Sequence, residues 1–218
     1  MEQALEDNPA DPTARSWSLL YHRFNGDSDH ARQQAQQLIH QLPLYWPARL
    51  DHGELLRERG DTAAAIGEQE RVLEQDPQNV AGLAALARTF IDAREVRRAR
   101  ETLEQARKED RQNYILRQQW ALLLAVEGKT AEATREMDAG LQAYAGMQIF
   151  GPASAAEFYA VIGAAETALE WLERAVQMGD DREEYLRRSP LLSTLRAHRR
   201  FQQILESVAY RRKQRASG

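Results

Sequence analysis

The sequence predicts an all-α protein: an αα-superhelix, or α-solenoid, of about five 34-residue helix–turn–helix units finished by a C-terminal capping helix. Three observations carry that prediction. Alanine (34 of 218 residues), Glu, Gln, Leu and Arg dominate while Ile, Val and Thr are scarce, a balance that favours helices over strands. Markers recur at a fixed interval, since Gly26-Asp27 and Gly60-Asp61 are 34 residues apart, as are Pro43 and Pro77. Carrying that interval onward aligns Ala31, Ala65, Ala99, Ala133 and Ala168 at position twenty of successive units. Self-similarity at such a period marks stacked repeats, because a unit this small cannot bury its apolar face alone.

The units run 12–45, 46–79, 80–113, 114–147 and, after one extra residue, 149–182. In each, a first helix with apolar residues at helical spacing (Leu83, Leu86, Ala87, Phe90 in the third) leads to position fifteen. That position reads Gly26, Gly60, Arg94, Gly128 and Gly163, and glycine ends a helix there by adopting a left-handed backbone at little cost. Asp27 and Asp61 follow as N-cap residues of the second helix. The alanine at position twenty lets the two helices approach closely. Pro43 and Pro77 stop the second helix, whereas Arg111 and Ala145 replace that proline and predict less rigid turns.

Both ends depart from the pattern. In register, Ala4 and Pro9 fall at positions 27 and 32 of a preceding unit, so residues 1–11 read as the tail of a truncated repeat or as an N-cap. Residues 183–212 read as capping helices: Ser189-Pro190 starts a helical turn, and Leu191, Leu195, Phe201, Ile204, Leu205 and Val208 supply one apolar face. Residues 213–218 read as a basic flexible tail.

The 34-residue unit resembles the tetratricopeptide repeat (TPR) over nearly the whole chain. Position 8 reads Leu19, Gly53, Ala87, Ala121 and Ala156, and position 11 reads His22, Leu56, Phe90, Leu124 and Tyr159. Units three and five fit best. Unit one departs most, with Leu19 where the family has a small residue, which predicts an altered packing angle with Trp17 and Tyr21 filling the gap. The segment from Ala168 through Phe201 also resembles the end of repeat regions in bacterial multidomain signalling proteins.

Composition and motifs exclude most chemistry. Without cysteine there is no disulfide, thiolate metal site or cysteine nucleophile. Phosphate loops, H-E-x-x-H and G-x-S-x-G are absent, so no enzyme activity and no cofactor are expected. Among the five histidines, His22 and His52 fall at packing positions and read as structural rather than metal-binding. The paired carboxylates Asp180-Asp181 and Glu183-Glu184 read as solvated or capping groups of a polar turn. The net charge of −4, acidic in the body and basic at the end, argues against nucleic acid as a partner of the main body. No membrane span or signal peptide is visible, which predicts a cytoplasmic protein.

The resemblance implies a concave groove lined by the first helices. It places there Leu50, Glu54, Arg57, Arg88, Ile91, Gln118, Leu122, Val126, Glu157 and Val161, the candidate partner-binding residues. The implied function is a non-catalytic interaction module that holds a protein or peptide partner, with Ile91, Leu122, Val126 and Val161 suited to an apolar helix or extended segment. Their alternative role is packing under the chain's own C-terminal helix, and that of Arg57 and Arg88 is pairing with Glu54, Glu58 or Asp92. The alternative function is a regulatory or self-association region of a larger bacterial signalling protein, whose effector is a winged-helix regulator, nucleotide cyclase or kinase.

Overall fold

The computed structural model describes residues 11–108 and 110–217, so the reading of residues 1–10 as part of a preceding unit lies outside the described residues. Each predicted unit contains its helix pair: α1 Pro12–Phe24 with α2 Ser28–Gln41, α3 Trp46–Arg59 with α4 Thr62–Gln75, and α5 Val80–Asp92 with α6 Val96–Ala106. The fourth pairs α7 Tyr114–Val126 with a second helix broken into α8 Thr130–Glu136 and α9 Ala139–Met147. The fifth pairs α10 Gly151–Val161 with α11 Ala165–Gln177, followed by α12 Glu183–Arg188, a 3₁₀ helix Pro190–Leu195 and α13 Arg199–Ser217. No strand occurs among the described residues.

Local chemistry places these boundaries. The Asp11, Asn79 and Asn113 side chains accept hydrogen bonds from the first-turn amides of α1, α5 and α7, satisfying donors that have no partner within the helix. Asp27 caps α2 by accepting from the His30 amide at 3.3 Å, whereas Asp61 holds the same place with no side-chain cap bond. All five position-fifteen residues have positive φ, Arg94 among them at 61°. All five position-twenty alanines have no exposed surface, which is why the paired helices can lie so close.

Two units differ from expectation. In the first, Leu19 itself fills the space at position 8, packed with Ala31, Ala35 and Leu55, while Trp17 and Tyr21 stay 52% and 54% exposed. The larger side chain occupies the gap, so the aromatic pair is not needed there. In the fourth, the irregularity lies inside the second helix rather than after it. Asp138 accepts from the Leu141 amide at 2.8 Å and starts α9, and Arg117 holds both sides of the break through Glu136 (2.9 Å) and Asp138 (2.8 Å).

Besides the small cluster around Leu19, two larger apolar clusters form the core. One joins α5–α10, with Leu191 from the 3₁₀ helix among its buried members together with Ile91, Leu122 and Phe158. The other joins α10 and α11 to Tyr185, Leu186, Leu192, Leu195, Phe201, Ile204 and Leu205.

The superhelix also meets its own beginning. The Asp181 amide donates to the Phe24 carbonyl at 2.9 Å, and Phe150 packs edge-on against Phe24 with ring centroids 5.8 Å apart. From α13, Arg212 donates to the Gly26 carbonyl (3.2 Å) and Arg215 to the Asn25 side chain (2.7 Å). The stretch read as a flexible basic tail is therefore corrected: α13 continues to Ser217, and its cations clasp the first inter-helix turn. Fully buried Asp181 secures them, ion-paired to Arg211 and Arg215 at 2.7 Å each.

Candidate functional site

The concave surface is built by the first helices of the five units, and its C-terminal half holds a continuous run of alternating charges. Arg23 of α1 donates to Glu58 (2.8 Å) and Glu54 (3.1 Å) of α3. Arg57 joins Glu54 (2.9 Å) to Asp92 of α5 (2.6 Å). Arg88 then joins Asp92 (3.0 Å) to Glu157 of α10 (2.6 Å). Positions 9, 12 and 13 of units one, two, three and five thus alternate in sign, while the fourth unit places Leu122, Ala125 and Val126 there. Close opposite charges and multiple hydrogen bonds offset the desolvation that each buried ion suffers.

The chain's own 180–189 segment completes this network. Arg182 is held by Asp180 (2.6 Å) and also donates to Glu58. Its guanidinium and that of Arg23 each lie 4.3 Å from the centre of the Phe150 ring, where the negative π face favours a cation. The Tyr185 hydroxyl donates to Glu157 (2.5 Å), as does the Ser189 hydroxyl (2.7 Å), and Arg88 donates to Tyr185 (3.2 Å).

The electrostatics follow from burial and these partners. Burial pushes the Glu58 carboxyl upward, but the guanidiniums of Arg23 and Arg182 outweigh it and hold the group at about 2. Glu54 is likewise lowered, burial being overcome by Arg57 and Arg23. Burial, then the Glu157 charge, raises the Tyr185 phenol, so it stays a neutral donor. Asp51 behaves differently. Half-buried on α3, it makes no ion pair among the described residues, and burial lifts its carboxyl to about 7 against the pull of Arg23, with Glu54 adding to the rise.

Of the ten residues expected to bind a partner, Leu50, Arg57, Arg88, Ile91, Leu122 and Glu157 are buried. Arg57, Arg88 and Glu157 are committed to the network, and Ile91 and Leu122 belong to the same buried apolar cluster as Leu191. Glu54 is bridged between Arg23 and Arg57, and Val126 and Val161 pack half-buried against the central cluster. Gln118 is half-buried, and its Nε2 has no hydrogen-bond partner among the described residues. The expectation that Asp180-Asp181 are solvated turn residues is corrected: both are fully buried, because the segment carrying them lies inside the ring. Sequence reasoning missed Asp180, Arg182, Tyr185 and Ser189 as groove-filling groups. The available signal was the alternation of Arg and Glu at positions that should face a solvent-filled groove.

Residues 56–126 match the family profile described as tetratricopeptide repeat. That stretch, about a third of the chain, thus carries tetratricopeptide repeats, and such repeats serve as protein–protein interaction scaffolds. Solved structures extend the likeness to the rest of the fold. A tetratricopeptide repeat protein from Parabacteroides merdae, 13% identical, matches with a TM-score of 0.54 over 98% of this chain and 83% of its own. Pseudomonas aeruginosa PilF, 14% identical, matches with a TM-score of 0.53 over 95% of this chain and 92% of its own. At these identities the likeness is one of fold. No curated protein matches the sequence. Among the described residues no helix is long and apolar enough to cross a membrane.

Proposed function

We propose that this chain is an interaction scaffold whose concave groove receives a protein segment at its open end, toward the N-terminal ends of the first helices, where Trp17 and Ile115 are exposed and Asp51 is half-buried. The closed end, at positions 9, 12 and 13, carries the chain's own 180–189 segment. A partner competing for that end faces an intramolecular occupant at high effective concentration. The single observation behind this reading is Asp51, a groove carboxyl that makes no ion pair among the described residues and feels Arg23 only from beyond ion-pair distance. Trp17 and Ile115 are exposed near the same end of their helices, and Gln118 Nε2 and Gln119 Oε1 have no hydrogen-bond partner. A segment bringing Lys or Arg beside apolar residues would pair with Asp51 and cover Trp17, combining charge complementarity with apolar burial.

Selection of a peptide-display library on the intact chain tests this. Enrichment of basic residues flanked by apolar ones, lost when Asp51→Asn is the bait, supports the reading. Equal selection on both baits refutes it. Among the candidates named from sequence, Leu50 and Gln118 belong to this open end, and Gln118→Ala should weaken the selected peptides. Self-association as the region's role is carried by light scattering instead: a mass that stays monomeric across a concentration series excludes it.

A further inference from the structure

We infer that His22, Asp27 and His30 form a binding site for one divalent transition-metal ion of the Zn²⁺ class. The three residues bracket the first inter-helix turn, His22 in the last turn of α1, Asp27 at the N-cap of α2 and His30 in its first turn. His22 Nδ1 lies 3.4 Å from Asp27 Oδ2, and His30 Nδ1 lies 3.8 Å from the same oxygen. One donor atom from each residue falls within 4.8 Å of the other two. A tetrahedral ion with bonds of about 2.0–2.1 Å needs donors about 3.3 Å apart, so the array is within small side-chain rotations of ligating distance. Two imidazoles and a carboxylate suit Zn²⁺, Ni²⁺ or Cu²⁺ rather than Mg²⁺ or Ca²⁺, which take oxygen ligands.

The scaffold under these donors is fixed. Gly26 holds the turn at φ 75°, and Asp27 Oδ1 accepts the His30 amide, leaving Oδ2 to face the rings. The two imidazoles stack with centroids 4.1 Å apart and planes 5° from parallel. Parallel rings point their lone pairs side by side rather than at one point, so one ring must turn about its Cβ–Cγ bond to bind. His30, with half of its side chain exposed, has room to do so, while His22 is three-quarters covered. Three protein ligands leave a fourth position for water.

The test uses the full chain without an affinity tag, stripped with a chelator and titrated with ZnCl₂ by calorimetry and with CoCl₂ by visible absorption. One ion per chain is expected, with the intense visible bands of four-coordinate Co²⁺. His30→Gln and Asp27→Asn should each weaken binding by about ten-fold or more. Both side chains are half-exposed and Asn still caps a helix, so these variants keep the fold, to be verified by circular dichroism. His52→Gln and His198→Gln should leave the affinity unchanged. The inference is overturned by no saturable binding, by an affinity unchanged in His30→Gln, or by one lost only in the His52 or His198 variant.

Discussion

Replacing Gly26 by alanine should destabilise the protein much more than the same change at Gly60 or Gly163, although all three glycines hold equivalent turns. Each has positive φ (75°, 89° and 82°), so each alanine carries a left-handed backbone strain of about 1–2 kcal/mol. At Gly60 and Gly163 an added Cβ meets nothing within 4 Å, and strain is the whole effect. At Gly26 the Cβ would lie 2.3 Å from the Asp181 carbonyl oxygen and 3.1 Å from its carbon, both backbone atoms that no rotamer change can move. Relieving the overlap displaces the Asp181 peptide and weakens its amide bond to Phe24 and the Arg212 bond to Gly26. Those two bonds are each worth about 0.5–1.5 kcal/mol net, placing Gly26→Ala about 1–3 kcal/mol below Gly60→Ala. Urea unfolding of the three variants measures the difference, and hydrogen exchange at the Asp181 amide locates it. Protection there should fall in Gly26→Ala and persist in Gly60→Ala. Equal destabilisation with the Asp181 amide still protected would show that the ends of the superhelix are not joined at this turn.

Three further outcomes follow from the same physics. Arg94 is an exposed residue at φ 61°, so Arg94→Gly should stabilise the protein by roughly 1 kcal/mol, read as a rise in Tm. The folded chain keeps a proton on Asp51 up to about pH 7, whereas the unfolded chain releases it near the ordinary carboxylate value of 3.8. This group's contribution therefore makes stability fall as the pH rises from about 4 to about 7. The shift of about three pK units, at about 1.4 kcal/mol each, is an upper bound that solvent around the half-buried carboxyl reduces to on the order of 2 kcal/mol. Asp51→Asn should gain that amount at pH 8 and nothing at pH 3, and identical pH profiles for the two chains would refute the assignment. Glu58 has the opposite sign: its carboxyl is depressed from 4.5 to about 2, so its contribution is present above pH 4.5 and lost as pH falls through about 2. Glu58→Gln leaves Arg23 and Arg182 short of a buried partner and should cost about 3–5 kcal/mol at pH 7 by chemical denaturation.

The closure changes what kind of repeat protein this is. In an open solenoid each unit contacts only its neighbours, and stability is close to a sum of local terms. Here contacts such as Arg215 to Asn25 bridge 190 residues, so loosening either end is coupled to the other. The buried charges favour one arrangement of the ring, since slipping the 180–189 segment by a residue would set like charges against each other and leave buried ions unpaired.

By itself the sequence determined the repeat: the five units, their helix pairs, the left-handed turn at position fifteen and the buried alanine at position twenty. These features depend on interactions within about 34 residues, where period, capping and turn chemistry act directly on the backbone. The fate of the groove was decided only by the tertiary structure. Small rotations between successive units accumulate into curvature, and that curvature brings Phe150 to Phe24 and Asp181 to Gly26. Once the ring is drawn in, Arg57, Arg88 and Glu157 meet Arg182, Tyr185 and Ser189 instead of solvent, and residues that read as a recognition surface become the interior of the molecule.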